Sequence, residues 1–556
     1  MQSIEKDNSS LRRSRQKLLS VLLMVFILSA SIVPVRALCQ TEEADKRQQQ
    51  EEVRHRTQQE AADRQEREQK KDTFLQSREK NGQETTLPME TPSFLIYTLI
   101  LEGDRVNEFP WLQRMCLCIR KNTLVRKGLI GIVKRLTNAL IERGYTTTRI
   151  GIPEQDLSGG TLKLVLIPGI IRSIHFTNPD TRANWYTAFP TRPGNLLNLR
   201  DLEQGLEEIK RVPSQDADLQ ITPGDKPGVS DIQITIQSGN PFRMTLSLDD
   251  SGSKSTGKIQ ASTALSFDNL LGVNDIFYIS FNQDAEREEG EYGTRGNNYQ
   301  LSVPYGYWTF TLSGSSYHYH QTLYSHNETF LSAGASDTTE VSIQRLIHRD
   351  QASKTQLQMG ISKKHSQNYL ADVELGSQRK NVTARFLGIS HRQYIGKTVL
   401  DAALTHRQGV PWFNAQADTG GSEDPTTRYK LWTLDTSLST PLSIGKTEGK
   451  YTVAFRGQYT RDHLYAANAF SIGNRYSVRG FDGEQTLLAE NGWYLRNEWS
   501  MPVAQGKEAY MGIDYGQVSG PSTTWLPGKK LAGAALGIRG TEGGVSYDSL
   551  HQLAVV

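Results

Sequence analysis

Two textures of hydrophobic and polar positions divide the chain. From Phe242 onward apolar and polar residues alternate: Phe242, Met244, Leu246 and Leu248 are interleaved with Arg243, Thr245, Ser247 and Asp249. Tyr451, Val453 and Phe455 alternate with Thr452, Ala454 and Arg456. Trp493, Leu495 and Trp499 alternate with Tyr494, Arg496 and Glu498. A period of two is the mark of a strand with one wet and one apolar face. Turn-forming runs, such as Asp249-Asp250-Ser251-Gly252, Glu289-Gly290 and Asn381, separate the strands, and no convincing helix interrupts them. Strand after strand of this kind predicts a transmembrane antiparallel β-barrel over 241–556, with about 16 strands at roughly 20 residues per strand and loop. Aromatic residues at strand ends fit membrane interfaces. The competing reading is a secreted β-solenoid or sandwich.

Upstream the pattern is different. Phe94 to Leu101 reads as a strand, and Leu124, Val125, Leu129, Ile132, Val133, Leu136 and Leu140 recur at helical spacing up to Gly144. Thr147–Ile152 and Thr161–Ile167 then alternate as strands. The order repeats: Ile171–Phe176 as strand, Leu202, Leu206 and Ile209 as a helix face, Asp218–Ile221 and Asp231–Ile236 as strands. These are two copies of a small α+β module, 91–168 and 169–240. Their open sheet edges can accept an extended peptide, or the modules are spacers.

Thr41 to Lys80 has neither pattern. It carries 11 Asp/Glu, 10 Lys/Arg and 8 Gln, without Gly or Pro. That composition predicts a solvated helix with no apolar face, housed in a polar, wet place, or else a disordered charged linker. Asn81–Glu90 reads as a linker.

Composition changes the picture at the N-terminus. Arg12, Arg13, Arg15 and Lys17 precede the apolar run Leu18–Val33, followed by Val35-Arg36-Ala37. This is the layout of a secretory signal peptide over 1–37. A retained anchor is the alternative, and Arg36 argues against a lipoprotein anchor at Cys39. The formal charge of +3 belongs to this segment; without it 57 basic residues face 58 acidic ones, so nucleic acid is not an expected partner. Three cysteines exclude a disulfide scaffold. Cys116 and Cys118 lie on one helix two positions apart, where a mutual bridge is unfavourable.

Several short segments are more specific. Arg143-Gly144-Tyr145-Thr146-Thr147, followed by Pro153-Glu154-Gln155-Asp156-Leu157 and Ser158-Gly159-Gly160-Thr161-Leu162, resembles the first POTRA domain of two-partner secretion transporters. Val212-Pro213-Ser214-Gln215, with Pro223-Gly224 and Pro227-Gly228-Val229-Ser230-Asp231, resembles their second. Val478-Arg479-Gly480-Phe481 resembles the tip of their long sixth loop, and Gly512-Ile513-Asp514-Tyr515-Gly516 the barrel-wall motif that it meets. The resemblance runs from about Phe94 to Asp548, and is closest in character to the hemolysin and contact-dependent-inhibition branch of the Omp85 superfamily.

The resemblance implies a bacterial outer-membrane pore that secretes, and in some cases activates, a large partner exoprotein with an N-terminal secretion domain. Outer-membrane lipid and the barrel-assembly machinery are the other implied partners, and an Omp85-type assembly factor is the alternative function. Residues 38–80 would be a plug helix in the barrel lumen. The two modules would sit in the periplasm and dock substrate, with Gly144, Tyr145, Pro153, Gln155, Pro213 and Gln215 in their motifs. Arg479 would lock onto Asp514, with Val478, Gly480, Phe481 and Gly516 allowing close approach. No catalytic residue, metal or cofactor is implied.

Four other features are read as decoys or departures. The Gly-Lys-Thr runs at 396–398 and 445–447 lack the earlier glycine of a phosphate loop (His391 and Thr440 stand there) and read as hairpin turns. His318 and His320 share a strand face without a neighbouring carboxylate, a weak metal pattern. Ser93 stands where the family commonly has a bridging Cys. Past Tyr547-Asp548 family members continue to a closing strand that ends in an aromatic residue, and Leu550–Val556 leave the expected barrel one strand short.

Overall fold

The computed structural model describes residues 42–69, 72–75, 93–118, 122–178, 181–286, 291–325, 328–418, 421 and 424–555. The signal segment 1–37, Cys39, the linker 81–90 and the turn at Glu289-Gly290 lie outside the described residues, as does the side chain of Cys118.

The polar segment is a helix, α1 (Glu42–Gln69). It ends before residue 80, and residues 72–75 are non-helical. No glycine or proline stops it. The main-chain N–H groups of Thr73 and Leu75 bond instead to carboxylates of a distant helix.

In the first module β1 (Ser93–Ile96) and β2 (Thr98–Gly103) are separate strands broken at Tyr97. Helix α2 (Pro110–Cys118) follows, then β3 (Asn122–Val125), which pairs with β1. Leu124 and Val125 therefore belong to a strand, and helix α3 begins at Arg126 (Arg126–Glu142). The apolar spacing runs through both elements, which is why periodicity merges them. Strand β4 (Arg149–Gly151) and β5 (Thr161–Ile167) complete a sheet of order β2-β5-β4, with β2 and β5 parallel. Leu99, Phe109, Leu112, Leu136, Leu140, Leu162 and Leu164 are buried between sheet and helices.

The second module has β6 (Ile170–Phe176), the short α4 (Trp185–Ala188), α5 (Leu199–Lys210), β7 (Gln215–Pro223) and β8 (Val229–Ser238). Its sheet order is β6-β8-β7. The Asn198 side chain caps α5 by accepting from the Arg200 N–H at 2.9 Å. Leu202, Leu206 and Ile209 bury one face of α5 against Ile171, Ile232 and Ile234.

The rest is one antiparallel sheet of 16 strands with only short 3-10 turns as helical structure. Its first half holds β9 (Phe242–Asp249), β10 (Gln260–Asp268), β11 (Ile276–Asp284), β12 (Tyr292–Tyr305), β13 (Trp308–Ser325), β14 (Glu328–Arg349) and β15 (Ser353–Leu370). The two-residue β16 (Val373–Glu374) folds back on β15. The second half holds β17 (Lys380–Ile395), β18 (Thr398–Val410), β19 (Lys430–Pro441) and β20 (Lys450–Thr460). After a long loop come β23 (Asn491–Ala504), β24 (Lys507–Ser519), β25 (Lys530–Glu542) and β26 (Val545–Val555). Asn381, read as a turn residue, lies inside β17, where it pairs with His365. The Gly-Lys-Thr runs sit at positive-φ hairpin turns, at Gly396 and Gly445.

Along β24 burial alternates as the sequence does. On β24 Met511 and Ile513 point outward and are exposed, while Tyr510, Gly512 and Asp514 point inward and are buried. The sheet curls around α1, because that helix touches the turn after β9 as well as β12, β13, β15, β19 and β20. The meander of long strands leaves β9 and β26 pointing the same way, and among the described residues these two are not bonded to each other. No described helix is long and apolar enough to cross a membrane. The strands satisfy their main-chain groups in their neighbours, the condition for an extended chain to cross lipid.

Candidate functional site

The loop between β20 and β23 folds back into the lumen. It carries a small hairpin, β21 (Phe470–Ile472) with β22 (Leu487–Ala489), whose side chains pack with Val478, Tyr494 and Val518. The tip Val478–Phe481 is thereby pressed on the inner wall. Val478 is buried and Phe481 packs on its cluster.

Arg479 is 2% exposed and Asp514 is 0% exposed. The Arg479 Nε donates to Asp514 Oδ2 at 2.7 Å and Nη2 donates to Oδ1 at 2.8 Å. The main-chain N–H of Arg479 adds a third bond to Oδ2 at 3.0 Å. Nη1 reaches Glu498 on β23 at 2.6 Å, and Arg539 on β25 donates to the other oxygen of Glu498 at 2.8 Å. A planar guanidinium satisfied on both edges is fixed in direction as well as position, which an ammonium would not be.

Glycines make room for this contact. A Cβ at Gly512 would overlap the Arg479 guanidinium, one at Gly516 would crowd Val478, and one at Gly533 would overlap the Arg479 carbonyl. Gly480 has φ of 111°, a conformation that only glycine adopts freely, and its N–H donates to Gln552 at 3.0 Å.

The luminal helix binds the same loop. Arg54 donates to the carbonyl of Gly483 at 3.0 Å, and Arg56 to the carbonyls of Ala467 and Ala469. On the wall side Glu60 meets Arg456 at 2.8 Å, which also holds Asp435 at 2.8 Å. Glu52 meets Lys364 at 2.6 Å, Glu51 accepts from Ser253 at 2.8 Å, and His55 stacks on Tyr317 at 4.2 Å. A helix without an apolar face is thus seated mainly by charge and hydrogen bonds, with the His55 stack and the buried Val53 as its apolar contacts.

The module residues are not gathered into one patch. Gly144 has φ of 94° and ends α3; a Cβ there would meet Asn198 of the second module. Tyr145 packs edge-on against Phe109, and burial raises its hydroxyl pKa. Both stand at the junction between modules. Pro153 and Gln155 lie in the loop after β4, and the Gln155 amide bonds both the N–H and the carbonyl of Lys163, at 2.7 Å each. It supplies one more rung to a three-residue edge strand. Pro213 precedes Gln215, which opens β7 and is buried.

Glu498, Arg539, Gly533, Arg456 and Asp435 were not singled out from sequence as site residues. Inward parity with a charge or a glycine is shared by many strand positions, so the signal is there only when two registers are known. His318 and His320 lie on β13, and among the described residues no cluster of His, Cys, Asp and Glu could hold a metal ion. The Cys116 thiol is buried, which pushes its pKa up to about 11.

Comparison with known proteins gives a consistent picture. The family model "Haemolysin secretion/activation protein ShlB/FhaC/HecB" matches residues 228–540. A ShlB-type POTRA model matches 94–169 and a second POTRA model matches 170–223. The chain is 43% identical to the outer membrane transporter CdiB-2 of Burkholderia pseudomallei, over 76% of this chain and 74% of that protein. It is 30% identical to the hemolysin transporter ShlB of Serratia marcescens, over 72% and 71%. The solved structure of CdiB from Escherichia coli superposes with a TM-score of 0.80 at 28% identity, covering 94% of this chain and 96% of that one.

Proposed function

The chain belongs to the ShlB/FhaC/HecB family of haemolysin secretion/activation proteins, and from that premise we propose how its parts divide the work of export. It is an outer-membrane transporter of two-partner secretion, with its POTRA domains in the periplasm. The relatives are named as transporters, not enzymes, and the assembly-factor alternative is less supported.

The partner is a large secreted exoprotein with an N-terminal secretion domain. The modules at 91–168 and 169–240 receive it unfolded, offering sheet edges and the motif residues Gly144, Tyr145, Pro153, Gln155, Pro213 and Gln215 as the docking region. The barrel over 241–556 conducts it, and the helix α1 (Glu42–Gln69) closes the lumen until it arrives. The lock of Arg479 on Asp514, backed by Val478, Gly480, Phe481 and Gly516, fixes the inner loop while the chain passes. The periplasm supplies no nucleotide, so folding of the exported chain outside prevents its return. Lipid and the barrel-assembly machinery act on the wall during insertion.

One observation carries this reading. A helix that is polar all round and a loop tip held by a buried ion pair occupy the same lumen, with the second of two α+β modules seated on the barrel rim. A passive solute pore has no use for such modules. Deleting the gene should strand the partner exoprotein in the periplasm, and plasmid-borne wild type should return it to the medium. Unchanged export from the deletion strain would refute the assignment.

A further inference from the structure

Residues 72–75, which leave the lumen after α1, lie in a slot between α5 and the rim of the barrel. The contacts alternate along the main chain. The Thr73 N–H donates to Glu207 at 3.2 Å and the Leu75 N–H to Glu203 at 2.9 Å, while Arg349 donates to the Thr73 carbonyl between them. This is how an edge strand receives a partner, with side chains standing in for the strand.

Side chains are read as well. Asp72 accepts from Lys354 and from the Tyr394 hydroxyl, both at 2.6 Å. Burial alone would raise its pKa, but Lys354, Tyr394 and Arg392 hold it below the usual carboxylate range. Phe74 meets the Tyr394 ring edge-on at 5.2 Å, and Leu75 packs on the core of the second module.

Without its occupant the slot holds three cations, Arg200, Arg349 and Lys354, against two carboxylates, Glu203 and Glu207, so one positive charge is left for an acidic ligand. Glu203 stays paired with Arg200 at 2.7 Å, and Glu207 with Arg349 at 2.9 Å and with Lys354. Vacating it costs Lys354 and Arg392 their contact with Asp72 but leaves them Glu207 and Asp401, with two acceptors and one donor at strand spacing.

We propose that the slot formed by Glu203, Glu207, Arg349, Lys354 and Tyr394 is an extended-peptide site, filled in cis by residues 72–75 at rest. Its occupant during export is a segment of the exported polypeptide in which an acidic residue is followed, two and three positions later, by an aromatic and an aliphatic one. The identity of that occupant rests on the export function above; the slot itself does not. Entry of the exported chain would displace the segment that tethers α1, coupling arrival of cargo to release of the plug.

The test is binding of a fluorescein-labelled peptide copying residues 71–76 to the full chain in detergent, measured by anisotropy. Asp72→Lys with Phe74→Ala empties the slot, and replacing residues 72–75 by Gly-Ser-Gly-Ser does so without new charge. Both should bind the peptide at least about tenfold more tightly than wild type, and adding Glu203→Gln with Glu207→Gln should cost about tenfold again. Equal binding by wild type and both emptied variants, or none by either, overturns the proposal, as does binding that ignores the two Gln changes. The assay contains no exported partner, so its failure would remove the slot and leave the export function standing.

Discussion

Arg479 and Asp514 are joined by three hydrogen bonds, two from the guanidinium and one from the main-chain N–H of Arg479. The third bond ties the carboxylate to the loop backbone, so the pair fixes the tip itself and not merely a side chain. Removing one member of a buried pair strands the other and costs about 3–5 kcal/mol. Asp514→Ala and Arg479→Ala should therefore free the loop over 461–490 to added protease on whole cells and reduce export at least tenfold, roughly, by that cost. Arg479→Lys should rescue neither, since an ammonium cannot span Asp514 and Glu498 together.

Gly533 lies beneath the Arg479 carbonyl on the neighbouring strand, opposite Asp514 in register. Gly533→Val should lift the tip and lower export while the barrel still runs as a heat-modifiable band. Gly528, with open space around it, serves as the control, and Gly528→Val should change neither readout.

The helix in the lumen is held by ion pairs to two separate wall strands, Glu60 to Arg456 on β20 and Glu52 to Lys364 on β15. Glu60→Lys places like charges against Arg456 and Arg56. In planar bilayers the variant should open more often than wild type, and deletion of residues 42–69 should remain open. A variant that stays as closed as wild type would show that these pairs do not hold the plug.

In the second module Arg172 and Ser173 bond to Asp231 and hold its carboxyl down to about 2. A carboxylate whose folded pKa is depressed adds stability above its unfolded value of about 4 and loses it as the pH falls through the folded one. Asp231→Asn should lower the melting temperature at neutral pH. The gap to wild type should close between about pH 4 and pH 2, and a constant gap would point to packing instead.

Much of this architecture was readable because each environment imposes its own period. Alternation on β24 gives Asp514 an inward direction, and the apolar face of α5 at Leu202, Leu206 and Ile209 is a plain helical stripe. The join at Leu124 and Val125 was misread since strand β3 runs directly into α3 with no intervening loop. The end of α1 was unreadable because its stop is tertiary: Glu203 and Glu207 take the N–H groups of Leu75 and Thr73. Glu498 escaped for a similar reason. It earns its place only through the register that sets β23 beside β24, and through a loop that returns from 19 residues earlier in the chain.

The most direct measurement is translocation into proteoliposomes that contain this chain alone. The unfolded N-terminal secretion domain of the partner exoprotein is presented on the POTRA side, and protease is added outside. The account predicts a protected fragment inside vesicles bearing wild type, and its loss when Asp514→Ala replaces it at equal amounts of inserted barrel. No protected fragment with wild type properly inserted, or equal protection in vesicles lacking the chain, would contradict it.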